Sequence, residues 1–317
     1  MLSDTLIFSL TRNQELTKEV CSILGLQQGD VSVNTFADGE TLIEINQSVR
    51  GKNVYIIQST SAPANSSYME LLIMIDAVKR ASANSINIIM PYYGYSRQDR
   101  KAKPRQPITS RLVADMLQVA GANRVLAFDL HAPQIQGFFT VPIDDIYGLP
   151  LLASHFKDNP DFEGEDLVIV SPDHGGATRA RNLGKLLDAP IAIIDKRRPR
   201  PNEMEVMNII GEVEGKTAII IDDMIDTAGT ICAGAQAIRD RGAKKVYAAC
   251  THAILSDPAT QRLLDSVIEY VVTTNTIELS EDKKTDKIKV LSVAPIIAAI
   301  IDHIENKKPV SDAVKFG

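Results

Sequence analysis

Short β-branched runs recur along the whole chain, and several are apolar throughout instead of alternating with polar residues. The first set is Leu6–Leu10, Val31–Phe36, Val54–Ser59, Ile86–Met90 and Val125–Leu130. The second is Leu167–Ser171, Ile191–Ile194, Ala218–Ile221, Val246–Cys250, Tyr270–Thr274 and Ile288–Ser292. A strand without a polar face must be covered on both sides, as in a parallel sheet sandwiched by helices. Helical spacing fills the intervals. Ser66–Ala81 places Leu71, Leu72, Ile75 and Val78 on one face, and Thr109–Val119 does the same with Leu112, Val113, Met116 and Leu117. Thr230–Arg241 closes on Gly242, a helix C-terminus signal. The alternation predicts an α/β protein of two tandem doubly wound domains with mainly parallel sheets. A length of 317 residues suits two domains, and the boundary is placed at Gly148-Leu149-Pro150, giving 1–148 and 149–317.

Composition narrows the function classes. With 34 basic and 40 acidic residues the net charge is −6, and 5% aromatic residues with no Trp argue against a nucleic-acid partner. The 44% hydrophobic content can furnish a core in each half. Cys21, Cys232 and Cys250 lie far apart without a CxxC spacing, which argues against a disulfide framework or zinc site and for a reducing compartment. The N-terminal segment lacks a basic region and carries Asp4, unlike a signal peptide. The longest apolar run, Val293–Ile301, contains Pro295 and falls well short of the roughly 20 residues a membrane span needs. It reads as the start of a buried helix. A cytoplasmic location with no membrane partner is expected.

In doubly wound folds ligands collect beyond the carboxyl ends of the strands. Several of those junctions here are chemically unusual. The run Ala218–Ile221 leads into Asp222-Asp223-Met224-Ile225-Asp226-Thr227-Ala228-Gly229-Thr230. Backbone N–H groups at a helix start, with two hydroxyls and a glycine, make a phosphate cradle, and adjacent carboxylates can accept from vicinal sugar hydroxyls. The plainer reading, Asp or Thr simply capping the helix, needs one such residue rather than this cluster. After Leu167–Ser171, Gly175-Gly176 and Thr178 make a second backbone nest, and Asp173 offers a carboxylate to a hard cation. His131 follows the Val125–Leu130 run; such a histidine is usually a satisfied polar residue, with a metal role the alternative.

Two basic loops also leave strands and are interrupted by proline: Arg97 to Arg105, and Lys196-Arg197-Arg198-Pro199-Arg200. Charge runs are usually solvated faces, but at strand ends of an acidic protein they are placed to meet a polyphosphate. Gly211-Glu-Val-Glu-Gly-Lys-Thr217 resembles a Walker A loop only superficially. It has too few residues between its glycines and precedes a strand instead of following one, so it is read as a turn.

Asp222-Asp-Met-Ile-Asp-Thr227 resembles the ribose-phosphate motif of phosphoribosyltransferase folds. With Tyr95-Ser-Arg-Gln-Asp-Arg-Lys101, Asp129-Leu-His-Ala132 and Asp195-Lys-Arg-Arg-Pro199, the chain resembles the phosphate-dependent ribose-phosphate diphosphokinases, from Phe36-Ala-Asp-Gly-Glu40 to Leu291-Ser-Val-Ala-Pro295. The resemblance implies two phosphoribosyltransferase-type domains. It also implies transfer of the β,γ-diphosphoryl group of ATP to the C1 hydroxyl of ribose 5-phosphate, for nucleotide biosynthesis. Asp226, Thr227, Ala228, Gly229 and Thr230 would hold the 5-phosphate, and Asp222 and Asp223 the ribose hydroxyls. His131 and Asp173 would contact Mg²⁺, with Mn²⁺ the alternative. Arg97 and Gln98 would bind ATP, with Phe36, Asp38, Gly39 and Glu40 reaching the adenine from a neighbouring subunit of a homo-oligomer, a hexamer in this family. Lys196 and Arg198 would be the catalytic cations, Arg198 also touching ribose 5-phosphate. Ser48, Arg50, Ser82 and Arg105 would belong to an allosteric phosphate/ADP site, with inorganic phosphate an activator.

Two readings compete with this one. A transferase that consumes phosphoribosyl diphosphate shares the Asp222–Thr230 segment but needs no ATP. A non-catalytic relative would be expected to lose the catalytic cations or the metal residues, whereas Lys196, Arg198, His131 and Asp173 are all present.

Overall fold

The computed structural model describes residues 2–197 and 206–314, and the side chains of residues 196, 197, 206 and 207 are outside that description. The chain divides into two compact units: Met1–Tyr147, Thr276–Glu278 and Ser292–Gly317 in one, Gly148–Asn275 and Leu279–Leu291 in the other.

The first unit contains β1 (Thr5–Ser9), α1 (Gln14–Leu24), β2 (Val31–Thr35), β3 (Thr41–Ile45), β4 (Asn53–Ile57), α2 (Ala64–Arg80), β5 (Ser85–Met90), α3 (Thr109–Ala120), β6 (Arg124–Phe128) and β7 (Ile143–Ile146). Its main sheet runs β1-β4-β5-β6-β7, and every pairing is parallel. The run Val31–Phe36 does not join that sheet. It forms β2, which pairs only with β3 in an antiparallel hairpin. Half-exposed Val31, Ser32 and Val33 and exposed Asn34 and Thr35 show why: this strand lacks the two apolar faces that a central parallel strand needs. β3 and β7 escape the sequence pattern because both are short and carry acids within them, Glu44 in one and Asp144-Asp145 in the other.

The second unit contains α4 (Leu149–Asp158), β8 (Leu167–Ser171), α5 (Ala177–Leu187), β9 (Ile191–Arg197), β10 (Val206–Ile210), β11 (Thr217–Ile225), α6 (Gly229–Asp240), β12 (Lys245–Ala253), α7 (Ala259–Asp265), β13 (Val271–Thr274) and β14 (Ile288–Leu291). Strand order is β10-β9-β8-β11-β12-β13-β14, with β10 antiparallel and the others parallel. β11 shows what its unbroken apolar run is for. Ile220 packs with Val168, Val246 and Ile238 on one face, while Ile219 and Ile221 pack with Ile169, Leu183 and Phe156 on the other. Each buried isoleucine contributes about 1.5–3 kcal/mol relative to exposure, so neither face tolerates a polar residue until the strand leaves the core.

The predicted second domain, 149–317, requires correction at its C-terminal end. After β14 the chain enters α8 (Ala294–Glu305) and α9 (Val310–Ala313), and α8 packs against α1 of the first unit. Its buried Ile296, Ile297, Ile300 and Ile301 supply the reason, and Pro295 sits in its first turn, where no intrahelical N–H is needed. Glu305 then accepts hydrogen bonds from Tyr55 Oη at 2.8 Å and Asn53 Nδ2 at 2.9 Å. Among the described residues no helix is long and apolar enough to cross a membrane, and all three cysteines are free.

Candidate active site

Because β8, β9 and β11 run parallel, their carboxyl ends open on one edge of the sheet. Asp173, Asp195 and the Asp222–Thr230 segment all follow or end those strands. The central piece is β11, which extends to Ile225 instead of stopping at Ile221. Asp222 stays in register with Cys250, and Met224 with His252, so the two acids lie inside the strand. Asp223 is only 4% exposed. Burial and the neighbouring carboxyl of Asp223 push the Asp222 carboxyl well above the ordinary carboxylate range, and Arg179 opposes the rise. Arg179 Nη1 lies 3.3 Å from Asp222 Oδ1 and 3.6 Å from Asp223 Oδ1. The same Asp222 oxygen accepts the Asp223 backbone N–H at 2.9 Å.

Past Ile225 the chain turns into α6. The N-cap position of this helix is Ala228, left-handed at φ 58°, rather than Asp226 or Thr227. Thr227 and Thr230 are exposed at this turn. Arg262, on α7, donates from Nη1 to the Thr227 carbonyl at 2.9 Å and holds the peptide before the left-handed residue. A helix N-terminus flanked by exposed hydroxyls suits an anion.

The turn after β8 is built differently. Asp173 Oδ1 accepts the Gly176 N–H at 2.9 Å, and Ser171 Oγ donates to the Asp173 carbonyl at 2.6 Å. A Cβ on Gly176 would come within 2.7 Å of Ser171 Oγ, so the close approach demands glycine. Asp173 itself is exposed. Next to it, His174 Nε2 meets Asp195 Oδ1 at 3.0 Å, which ties this turn to the end of β9. Lys196 follows Asp195 in β9, its backbone in register with Met207; its side chain and the whole of Arg198 lie outside the described residues.

In the first unit, β5 and β6 are parallel neighbours, so the loops after them emerge together. Arg97 and Gln98 are exposed in the first loop and His131 in the second. The loops are joined by Gln134 Nε2, which donates to Asp99 Oδ2 at 2.6 Å. Gln98 Oε1 accepts from Thr109 Oγ1 at 2.6 Å, anchoring that loop to the start of α3. His131 stands behind a left-handed Asp129, φ 38°, and the Leu130 N–H donates to Asp145 Oδ1 at 3.0 Å. Burial raises the Asp145 carboxyl to about 6.

Phe36, Asp38, Gly39 and Glu40 form the tip of the β2–β3 hairpin. The Gly39 N–H donates to the Phe36 carbonyl, the Glu40 N–H to Asp38 Oδ1, and Phe36 remains 53% exposed. Of the four residues expected at an allosteric site, Ser82 accepts the Gly51 N–H at 2.9 Å beside Arg50 and near Ser48, so these three share a corner. Arg105 lies in the loop between β5 and α3. Arg179 and Arg262 are additions that sequence reasoning missed. For Arg179 the only local signal is a cation in the first turn after Gly175-Gly176, and for Arg262 there is none.

Among the described residues no group of three or more His, Cys, Asp or Glu side chains could enclose a metal ion. Exposed Asp173 offers a carboxylate oxygen, the donor type a hard cation takes.

Comparison with known proteins gives consistent matches. Residues 5–121 match the model for the N-terminal domain of ribose phosphate pyrophosphokinase, and residues 188–315 match the phosphoribosyl synthetase-associated domain. The chain is 59% identical over 305 residues to a ribose-phosphate pyrophosphokinase from Staphylococcus aureus, covering 96% of this chain and 95% of that one. It is 60% identical over 306 residues to a relative of the same name from Fusobacterium nucleatum, covering 96% of each. The crystal structure of a phosphoribosylpyrophosphate synthetase from Mycobacterium smegmatis superimposes with a TM-score of 0.91 at 41% identity, covering 96% of this chain and all of that one.

Proposed function

The chain belongs to the ribose-phosphate pyrophosphokinase family, and from that premise we propose that it transfers the β,γ-diphosphoryl group of ATP to ribose 5-phosphate. The C1 hydroxyl oxygen bonds to the β-phosphorus, the bond from that phosphorus to the AMP oxygen breaks, and the hydroxyl proton is released. The products are 5-phosphoribosyl 1-diphosphate and AMP, a supply for nucleotide biosynthesis. The observation that supports the assignment of the sugar site is the β11–α6 junction: an acid pair, Asp223 buried and Asp222 half-buried, running into a helix start at a left-handed Ala228. Asp222 and Asp223 accept the ribose hydroxyls, and Asp226, Thr227, Ala228, Gly229 and Thr230 cradle the 5-phosphate with backbone N–H groups and hydroxyls.

Such a reaction asks little covalent work of the protein. Charge spreads over the transferring group and the departing AMP oxygen, so positioning and cations supply most of the rate. Lys196 and Arg198 are the proposed catalytic cations, and Arg97 and Gln98 hold ATP. Phe36, Asp38, Gly39 and Glu40 contact the adenine of a second copy, which the exposed Phe36 on a hairpin outside the main sheet supports. The working form is then a homo-oligomer, proposed to be a hexamer. Asp173 and His131 would hold Mg²⁺, with Mn²⁺ the alternative, which would supply positive charge to the phosphate oxygens. Ser48, Arg50 and Ser82, with Arg105, are proposed to bind a regulatory phosphate or ADP, inorganic phosphate activating. Cys21, Cys232 and Cys250, far apart in the chain and without a CxxC spacing, support a reducing, cytoplasmic location.

The test is ³¹P NMR of the purified protein with ATP and Mg²⁺ in phosphate buffer, with and without ribose 5-phosphate. AMP and a C1-linked diphosphate should appear only when the sugar is present. ADP in place of AMP would mean γ-phosphoryl transfer and overturn the mechanism, and absence of turnover would overturn the assignment of an active enzyme.

A further inference from the structure

Two carboxylates on consecutive residues of one strand, one of them almost wholly buried, repel each other and lose hydration together. Such a pair holds one proton between them unless a cation compensates. The cation is Arg179, in the first turn of α5, on an element packed against β11. Its Nη1 lies 3.3 Å from Asp222 Oδ1 and 3.6 Å from Asp223 Oδ1, a single guanidinium nitrogen shared by both acids. Its side chain is only 24% exposed, so solvent screens the contact weakly.

We propose that Arg179 is a positioning residue for sugar binding, bridging the Asp222–Asp223 pair and opposing its hold on a proton, so that the pair is aligned to accept the ribose hydroxyls. The inference rests on the reading of that pair given above. A protonated carboxyl turns one acceptor into a donor, so it cannot accept two vicinal hydroxyls as well as the ionised pair does. Neighbouring elements bring further titratable groups. Asp226 follows on the same segment and adds negative charge. Asp173 comes from the turn after β8, and it too is an acid. Cys250, opposite Asp222 on β12, is buried and its thiol is pushed up to about 12, so it stays neutral. His252 lies further along β12, opposite Met224, and α6 brings no acid or base in its first turn. Arg179 lies within ion-pair distance of both acids.

The experiment compares wild type with Arg179→Met and Arg179→Lys, reading steady-state kinetics from pH 5.5 to 9 and the titration of the Asp222 carboxyl in the free protein by ¹³C NMR. In Arg179→Met the KM for ribose 5-phosphate should rise about tenfold or more near neutrality, while the KM for ATP stays within about twofold. The acid limb of kcat/KM for the sugar should move to higher pH, and the loss should shrink in alkaline buffer. Arg179→Lys keeps the charge without the fork and should recover most of the affinity; if the methionine variant fails to fold, the lysine variant carries the test with a rise of a few-fold. An Asp222 titration that does not move overturns the proposal alone. A titration that moves while the KM for ribose 5-phosphate is unchanged removes the pair from the sugar site, and the underlying reading falls with it. A pH-independent loss of kcat with unchanged KM marks a merely structural arginine and also overturns the proposal.

Discussion

Ala228 holds a left-handed backbone at φ 58° where β11 gives way to α6, and alanine has no intrinsic reason to be there. The conformation costs an L-residue roughly 1–2 kcal/mol. It persists because Arg262 grips the preceding carbonyl and Ala228 itself is buried, at 5% exposure. Strain of this kind gathers at ligand clamps. Ala228→Gly removes the penalty and should leave the KM for ribose 5-phosphate nearly unchanged while raising stability by about 0.5–1 kcal/mol. Ala228→Val should cost about 2 kcal/mol and raise that KM, since a β-branched side chain is poorly tolerated in this region. Urea melts with KM measurements for both substrates check the pair; a valine variant that binds the sugar normally would show that the left-handed turn is unrelated to phosphate binding.

At the scale of elements, length and register matter more than residue identity. β11 continues four residues past its apolar run because β12 keeps pairing with it, and this puts Asp222 and Asp223 on a rigid strand rather than in a loop. Rigid support suits a site that works by positioning. The β2–β3 hairpin is the opposite case, a two-stranded ribbon carrying four proposed ATP contacts. Its tip depends on Gly39, at φ 95°, which only glycine adopts without strain. Gly39→Ala meets no steric neighbour, since a Cβ there has nothing within 4 Å. The expected result is therefore local: about 1 kcal/mol of turn strain, a several-fold higher KM for ATP, and an unchanged KM for ribose 5-phosphate. Equal effects on both substrates would argue against the hairpin as an ATP element.

Over the whole molecule, the chain visits its first unit three times, in 1–147, 276–278 and 292 onward. Residues 292 onward return to it, and α8 buries its isoleucines against α1 while Glu305 takes hydrogen bonds from Tyr55 and Asn53. Glu305→Ala leaves the partly buried Tyr55 hydroxyl without this acceptor, and about 1–3 kcal/mol should be lost. Because the contact belongs to the first unit, hydrogen exchange should accelerate in β1, β4 and α1 and stay unchanged in β8, β11 and β12. Uniform acceleration in both units would mean that they unfold as one.

What the sequence alone determined follows from local chemistry. Fully apolar runs require two covered faces, amphipathic stretches require one, and together they specify a parallel α/β architecture; the helices α2, α3 and α6 lie within two residues of their expected limits. The acids, glycine and hydroxyls of Asp222–Thr230 were equally visible as a cluster, and the structure places them at the end of β11 and the turn into α6. Tertiary structure decided the rest, for reasons local pattern does not contain. Strands as short and polar as β3 and β7 are stable only through their partners. The return of α8 to the first unit depends on which apolar face lies within reach. Arg179 and Arg262 follow from the sheet's strand order, which sets them against acids and a carbonyl 43 and 35 positions away. Burial and pairing energies depend on what the folded chain brings alongside, and that information becomes explicit only in three dimensions.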